Sequence, residues 1–350
     1  MEKAVDTLTI EREKRILKRN LGLDLAFDIK DEGRYRINIY YERGHLALSA
    51  RIISTEIRKV EELNLPPVIS KFALEERGLI LVTGVAGSGK STTLAAMIEE
   101  INEKKRARII TIEDPIEYVF KDKKSLITQR EVGIDTPSFL IGLKEALRQD
   151  PNVIMVGEMR DLTTIETAIQ AAETGHLVLS TLHTLDARET IHRIISVFPS
   201  YQQNEVRVEL ASVLKAVISQ RLVPSVEKGK RIPAVEIMVV TPRIRDLILN
   251  PQRIDEIKES VAEGHVPYGM QTFEQSLFYL WKKGLITAEI ALDFATEKEN
   301  LALRMKGITT DQDSRYWKIF EEKAMKEMER EGREEELQDK LEDLLKKFGT

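Results

Sequence analysis

Leu79-Ile80-Leu81-Val82-Thr83-Gly84-Val85-Ala86-Gly87-Ser88-Gly89-Lys90-Ser91 decides how the rest of this 350-residue chain is read. Its opening run, apolar and rich in β-branched side chains, suits a strand buried on both faces. The run delivers the chain into Gly84–Ser91, which fits the pattern G-x-x-x-x-G-K-[ST], and an apolar helical stretch follows over Thr92–Ile101. Strand, glycine-rich loop and helix in that order make a phosphate-binding loop. Gly84, Gly87 and Gly89 let backbone N–H groups turn toward phosphate oxygens, and the helix N-terminus adds its dipole. Lys90 is placed to neutralise β- and γ-phosphates and the Ser91 hydroxyl to ligate Mg²⁺, with Ser88 and Thr92 flanking them. A chance match to this pattern in a chain of this length is about one in a hundred.

Outward from the loop, the runs Ile109–Ile112, Val153–Val156 and Leu177–Thr181 repeat the buried-strand pattern, and helix-length segments separate them. That alternation predicts an α/β fold, a parallel sheet with helices on its faces. Arg221–Pro224 and Ala234–Met238 read as further strands of it. In such a sheet ligands gather beyond the carboxyl ends of the strands. Glu113, Asp114 and Glu117 lie past the second run, Gly157 and Glu158 past the third, and His183 past the fourth. An acid there can hold a metal through water or polarise an attacking water. Taken singly, each acid reads more readily as a helix cap or a solvated side chain; together at one edge they read as chemistry. His183 fits two roles, a hydrogen-bonding sensor of the γ-phosphate or an ordinary satisfied loop histidine. His176 precedes its strand, so strand direction places it at the opposite edge in a structural role.

Residues 1–63 differ in texture. A charged helix is expected over Ile10–Arg19, then strands Arg34–Tyr40 and His45–Ile52 around a turn at Glu42-Arg43-Gly44. So few elements make a thin core, either an incomplete domain or one that leans on a neighbour. Arg34, Arg36, Arg43 and Arg51 crowd this region, either as a salt-bridged surface or as forks that reach phosphate across a domain or subunit boundary. The paired prolines of Leu63–Pro67 mark residues 64–67 as a linker. After Thr241 the text reads helical to Ile308, with starts at Thr272 and Thr287. In residues 309–350, Trp317, Phe320, Ala324 and Met328, then Leu337, Leu341, Leu344 and Phe348, recur at helical spacing on either side of Gly332. They predict amphipathic helices packed on the body or on a partner.

Composition narrows the setting. Apolar residues are 42% and charged residues 32%, which suits a globular chain. No apolar run approaches the ~20 residues of a membrane helix. The acidic start is unlike a signal peptide, and zero cysteines excludes thiolate metal sites and cysteine nucleophiles. A reducing cytoplasm is the expected location. The net charge is −5, and eleven acids against seven bases in residues 321–350 account for most of it. No basic stripe marks a dedicated nucleic-acid binder.

The stretches Val82-Thr83-Gly84 to Met97, Ile112-Glu113-Asp114-Pro115-Ile116-Glu117, Leu147-Arg148-Gln149-Asp150-Pro151, Val156-Gly157-Glu158-Met159-Arg160-Asp161 and Ala172–His176 to Thr181–Thr184 resemble the secretion-ATPase superfamily. Within it they are most similar to the PilT-type pilus retraction ATPases, over residues 8 to 308. The resemblance implies RecA-like P-loop ATPase domains in a homohexameric ring. Each is joined to a PAS-like α+β domain, here a partial one over 1–63, with the ATPase domain over 68–308 and a charged helical extension over 309–350. Such rings bind ATP and Mg²⁺, sit on the cytoplasmic face of the inner membrane against a pilus or secretion platform protein, and turn hydrolysis into pilus retraction and twitching motility. They are peripheral to the membrane. The resemblance makes Glu117 the catalytic base, Glu113 its polar neighbour at the nucleotide, and Glu158 the Walker B acid sharing Mg²⁺ with Ser91. His176 and His183 become the two histidines of the His box, and Arg34, Arg36 and Arg51 become arginines that approach nucleotide.

Departures from the family pattern are also legible. The opening helix and strand that the family carries before Leu8 are expected to be absent, and its retraction signature is matched only loosely by Pro242-Arg243-Ile244-Arg245-Asp246-Leu247-Ile248. The 309–350 extension lies outside the common pattern. Zero cysteines sets the chain apart from pilus-extension relatives with a four-cysteine zinc site. These departures motivate an alternative, a nucleotide-binding regulatory subunit of a pilus or secretion motor with little hydrolysis of its own.

Overall fold

The computed structural model describes residues 2–29, 33–53 and 56–308, together with Trp317, Phe320, Glu322, Met325, Lys326 and Glu329. The chain gathers into two compact units. The first takes Met1–Val60, Ala73–Arg77 and Ser91–Ser180; the second takes Glu61–Phe72, Gly78–Lys90 and Thr181 onward.

The first unit opens with helices α1 (Glu2–Leu8) and α2 (Glu11–Asn20), then strands β1 (Gly22–Ile29), β2 (Gly33–Glu42) and β3 (His45–Ile53) in an antiparallel sheet of that order. Alternation puts Leu23, Leu25, Ile37, Ile39 and Leu48 on one face, in register Leu25↔Ile37, Leu23↔Ile39 and Ile39↔Leu48. That face and the helices bury a core of Val5, Leu17, Leu23, Leu25, Ile37 and Ile39. The hairpin turns at Arg43-Gly44, both with positive φ (50° and 82°), as a tight two-residue turn requires. The region therefore has a core of its own, fuller than the expected helix and strand pair because α1 and β1 add to it.

The larger sheet has strand order β10-β9-β4-β8-β7-β5-β6. In chain order, α3 (Val68–Ala73), β4 (Gly78–Thr83), α4 (Lys90–Lys104), β5 (Arg108–Glu113), β6 (Leu126–Glu131), α5 (Phe139–Ala146), β7 (Val153–Val156), α6 (Leu162–Glu173), β8 (Leu177–Leu182), α7 (Ala187–Ser196) and α8 (Gln203–Val213) lead to β9 (Leu214–Pro224) and β10 (Arg231–Val239). In the first unit β5 pairs in parallel with β6 and β7, and β7 with β8. In the second, β4 runs parallel to β9, and β10 closes antiparallel on β9. Every residue of β4, β7 and β8 is buried, which is why they read as continuous apolar runs. β6, at the sheet edge and half exposed, alternates weakly and escaped the apolar-run reading. In the expected linker, 64–67, Leu65 is buried, as is Leu63 just before it.

The second unit continues through α9 (Pro242–Leu249), α10 (Ile257–Glu263), α11 (His265–Tyr268), α12 (Phe273–Lys282), α13 (Ala288–Phe294) and α14 (Lys298–Met305). The expected starts hold for a local reason. Thr272 accepts from Gln275 N while the Gln275 side chain accepts from Thr272 N, and Thr287 accepts from Ile290 N. Leu277, Phe278, Leu280 and Leu301 form a core there with Val223 and Ile232 of the sheet. Trp317 and Phe320, 4% and 2% exposed, join that core. They meet Phe278 and each other edge to face, with Trp317 5.6 Å from Phe278 and 5.5 Å from Phe320. The rest of the expected amphipathic pattern, Ala324, Met328 and Leu337 to Phe348, lies outside the described residues.

Candidate active site

The phosphate loop belongs to the second unit and is shaped by β9. Register pairs Thr83 with Ser219, and the Thr83 hydroxyl donates to Ser219 Oγ at 2.9 Å, so Gln220 comes level with Gly84. A Cβ on Gly84 (φ 139°) would collide with Gln220 O and lie 2.6 Å from Ser88 Oγ; on Gly89 (φ 91°) it would lie 2.8 Å from Gln220 Nε2. Only glycine fits either position. Lys90, 9% exposed, folds back and donates to Gly84 O at 2.8 Å and Val85 O at 3.0 Å. Ser88 Oγ is buried with no hydrogen-bond partner in the protein. A buried hydroxyl wants a partner, and a glycine cradle holding such a hydroxyl beside an ammonium fits a nucleotide phosphate. Gly84 N–H donates to Leu182 O at 3.3 Å, which leaves His183, the next residue and an exposed one, close to the loop's first glycine.

The first unit holds the other candidates. Ser91 and Thr92 stand in the first turn of α4, Ser91 exposed and Thr92 sharing a 2.8 Å hydrogen bond with the Tyr118 hydroxyl. Ile112 pairs with Val156 and accepts from Gly157 N–H at 2.8 Å, so Glu113 and Asp114 end β5 at the edge where Gly157 and Glu158 end β7. Glu113 does not face outward. It is buried, accepts from Thr111 Oγ1 at 2.6 Å and Gln129 Nε2 at 3.1 Å, and burial pushes its carboxyl above the ordinary range despite those bonds and the Glu117 amide. Gln129 also donates to Tyr118 O at 2.8 Å, so Glu113 organises the turn that carries Glu117, itself exposed. The Asp114-Pro115 peptide in that turn is cis. Glu158 is 2.7 Å from the Arg160 guanidinium.

His176 does not join these groups. It precedes β8, where Leu177 pairs with Val153 at the start of β7, and its Nδ1 lies 2.8 Å from Ala171 O and 3.2 Å from Thr174 Oγ1 at the end of α6. Helix capping is what the structure shows it doing. On the N-terminal sheet Arg36 stands directly across from Arg51, and Arg34 across from Ile53. Like charges in a cross-strand pair repel, and an anion lying over Arg36 and Arg51 would relieve them. Among the described residues, no cluster of three or more His, Asp or Glu forms a metal cage. Mg²⁺ needs none, being held largely by phosphates and water with one or two protein oxygens. Ser91, exposed at the start of α4, and Glu158, paired with Arg160, are the expected residues whose oxygens would fit such a role.

A buried charge cluster went unread because its members are far apart in sequence. Glu236 of β10 accepts from Ala187 N at 2.9 Å, at the N-terminus of α7, with Asp186, Glu274 and Arg221 nearby. Burial pushes the Glu236 carboxyl up from 4.5 to about 7; Asp186 and Glu274 add to the rise, while Ala187 N–H and Arg221 oppose it. Between those two values the folded chain keeps this proton and the unfolded chain has lost it. Stability therefore falls as pH rises through that window and levels off above about 7, by on the order of 3 kcal/mol in all. Glu236→Gln keeps an oxygen for Ala187 N–H and removes the titration. We expect the melting temperature of the unaltered chain to fall relative to the variant between pH 5 and pH 8; parallel curves would show that the carboxyl does not titrate there.

Comparison with known proteins gives a consistent answer. The family model described as type II/IV secretion system protein matches residues 54–269. A twitching motility protein of Neisseria gonorrhoeae is 44% identical over 298 residues, covering 85% of this chain and 79% of the relative. The type IV pilus ATPase PilU of Pseudomonas aeruginosa is 41% identical over 304 residues, covering 87% and 79%. A crystal structure of the pilus retraction motor PilT with bound ADP matches at TM-score 0.79 and 46% identity, over 86% of this chain and 85% of that one. No helix among the described residues is long and apolar enough to cross a membrane.

Proposed function

This chain belongs to the type II/IV secretion system protein family, as a PilT-type secretion ATPase, and from that we propose that it is an Mg²⁺-dependent motor whose homohexameric ring powers type IV pilus retraction. The observation that carries the reading is the phosphate loop, with Lys90 on its own carbonyls and the Ser88 hydroxyl buried without a protein partner. Likeness to an ADP-bound retraction motor supports it.

In this reading the glycine-rich backbone and Ser88 take the phosphates of ATP, and Lys90 moves its ammonium from the Gly84 and Val85 carbonyls to β- and γ-oxygens. Ser91 and Glu158 would hold Mg²⁺, which would supply positive charge against that growing on the phosphate oxygens. Glu117 orients and polarises the attacking water, and Glu113 acts through it by holding the turn. His183 hydrogen-bonds the γ-phosphate, and His176 stays a helix cap. Arg36 and Arg51 serve as bidentate forks for nucleotide phosphate, while the expected Arg34 side chain lies outside the described residues. The ring works on the cytoplasmic face of the inner membrane against a platform protein.

Light scattering of the purified chain with and without ATP, alongside a turnover assay, tests this. We expect turnover and a species of six times the 40.0 kDa chain. A monomer that hydrolyses nothing in either condition would overturn it. The loose match at Pro242–Ile248 favours a second reading, a nucleotide-binding regulatory subunit that joins another motor. Brisk turnover of the chain alone removes that reading.

A further inference from the structure

Ser219, Gln220 and Arg221 are consecutive on β9, and strand alternation sends Gln220 and Arg221 to opposite sides of the sheet. Gln220 is 3% exposed. Its backbone carbonyl oxygen closes off the space where Gly84 would carry a Cβ, and its side-chain Nε2 does the same for Gly89 at 2.8 Å, so the side chain itself acts at Gly89. Gly84 opens the phosphate loop and Gly89 nearly ends it, so one residue of a neighbouring strand lies against both ends. Neither the loop pattern nor the edge acids include it. On the other side of the sheet, Arg221 donates to Phe294 O at 2.6 Å and to Thr296 Oγ1 at 2.9 Å, and its guanidinium lies 3.8 Å from the centre of the Phe273 ring. Phe273 begins α12 and Phe294 ends α13. Charge-assisted hydrogen bonds and ring stacking together make this a strong clamp for one side chain.

We propose that Gln220 is a positioning residue for the phosphate loop, and that Arg221 keeps it in place by clamping β9 to the C-terminal helices. The proposal rests on reading Gly84–Ser91 as the nucleotide site. A loop that binds phosphate through backbone N–H groups loses affinity when its peptides wander by fractions of an ångström. Gln220 fixes those peptides from beneath, and Arg221 fixes the strand that carries Gln220. C-terminal helices with no residue near phosphate thereby influence nucleotide affinity through two adjacent side chains.

The test uses the full chain and reads ADP affinity by calorimetry, with KM and kcat for ATP measured in parallel. Gln220→Met keeps the side-chain volume and removes the amide. We expect it to raise the ADP dissociation constant and the KM about tenfold, with kcat changed by less than about threefold. Arg221→Ala should move the same two constants in the same direction, and Arg221→Lys, which loses the fork, should fall between it and the unaltered chain. The double variant should be no worse than the stronger single, because both changes loosen one element. Wild-type ADP affinity in Gln220→Met, or effects of the two changes that multiply, would overturn the proposal while leaving the site intact. Failure of the unaltered chain to bind ADP would overturn the phosphate-loop reading and the proposal with it. Thermal melts of each variant without nucleotide exclude simple unfolding as the source of any loss.

Discussion

Lys90→Ala is expected to abolish ATP hydrolysis and to erase the rise in melting temperature that ADP gives the unaltered chain. The ammonium is nearly buried and already rests on two loop carbonyls, so it is held at the phosphate cradle before any nucleotide arrives. Removing it takes away the one positive side chain of the loop, which is what would offset charge on the β- and γ-oxygens. Loss of a single preorganised group of this kind costs roughly 10²–10³ in rate, and loss of ground-state phosphate binding adds to that. Without nucleotide the variant should melt only slightly below the unaltered chain, because the Gly84 and Val85 carbonyls lose their ammonium donor while the sheet beneath is untouched. Steady-state turnover and ADP-dependent melting are the measurements. Retained turnover would mean that Lys90 is not at the reacting phosphates.

Glu117→Gln should separate chemistry from binding. Glu117 is exposed at the end of a turn whose inner side is held by Glu113, Thr111 and Gln129. Glutamine keeps the size and hydrogen-bonding reach of the side chain but cannot take a proton, so turnover should fall by about 10²–10⁴. ADP affinity should stay within about threefold, because the residue has no part in the cradle. The two variants therefore differ in signature: Lys90→Ala loses binding and turnover, Glu117→Gln only turnover. Undiminished turnover in both would dismantle the site.

The parts of the fold legible in advance were those whose signal is local. β4, β5, β7 and β8 are apolar runs because both faces of each are covered, and the caps at Thr272 and Thr287 are four-residue patterns. β6 was not legible, because an edge strand half in water carries Thr128, Gln129 and Arg130 where a central strand would carry Val or Ile. β1 did alternate, with Leu23, Leu25 and Phe27, but Asp24 within the run and Asp28 just after it kept it from reading as a buried apolar strand. The glycine-rich loop between β4 and α4 was legible because its residues are contiguous. The inward turn of Glu113 was not, since it depends on Gln129 from the neighbouring strand. Nor was the tie between Ala187 and Glu236, which are 49 residues apart. His176 shows strand direction and resemblance pointing different ways, and the hydrogen bond to Ala171 O follows strand direction.

The aromatic packing of the C-terminal helices has a practical consequence for spectroscopy. The chain has only two tryptophans, Trp281 and Trp317, and both sit around Phe278 in that helical layer. Tryptophan emission, excited at the red edge where the eight tyrosines do not absorb, is therefore a reporter of one layer, blind to the phosphate cradle and to the N-terminal sheet. A denaturation curve followed by fluorescence monitors the melting of that layer, while far-ultraviolet circular dichroism averages over the whole backbone. Superposition of the two curves would mean that the layer around Phe278 comes apart in the same cooperative event as the rest.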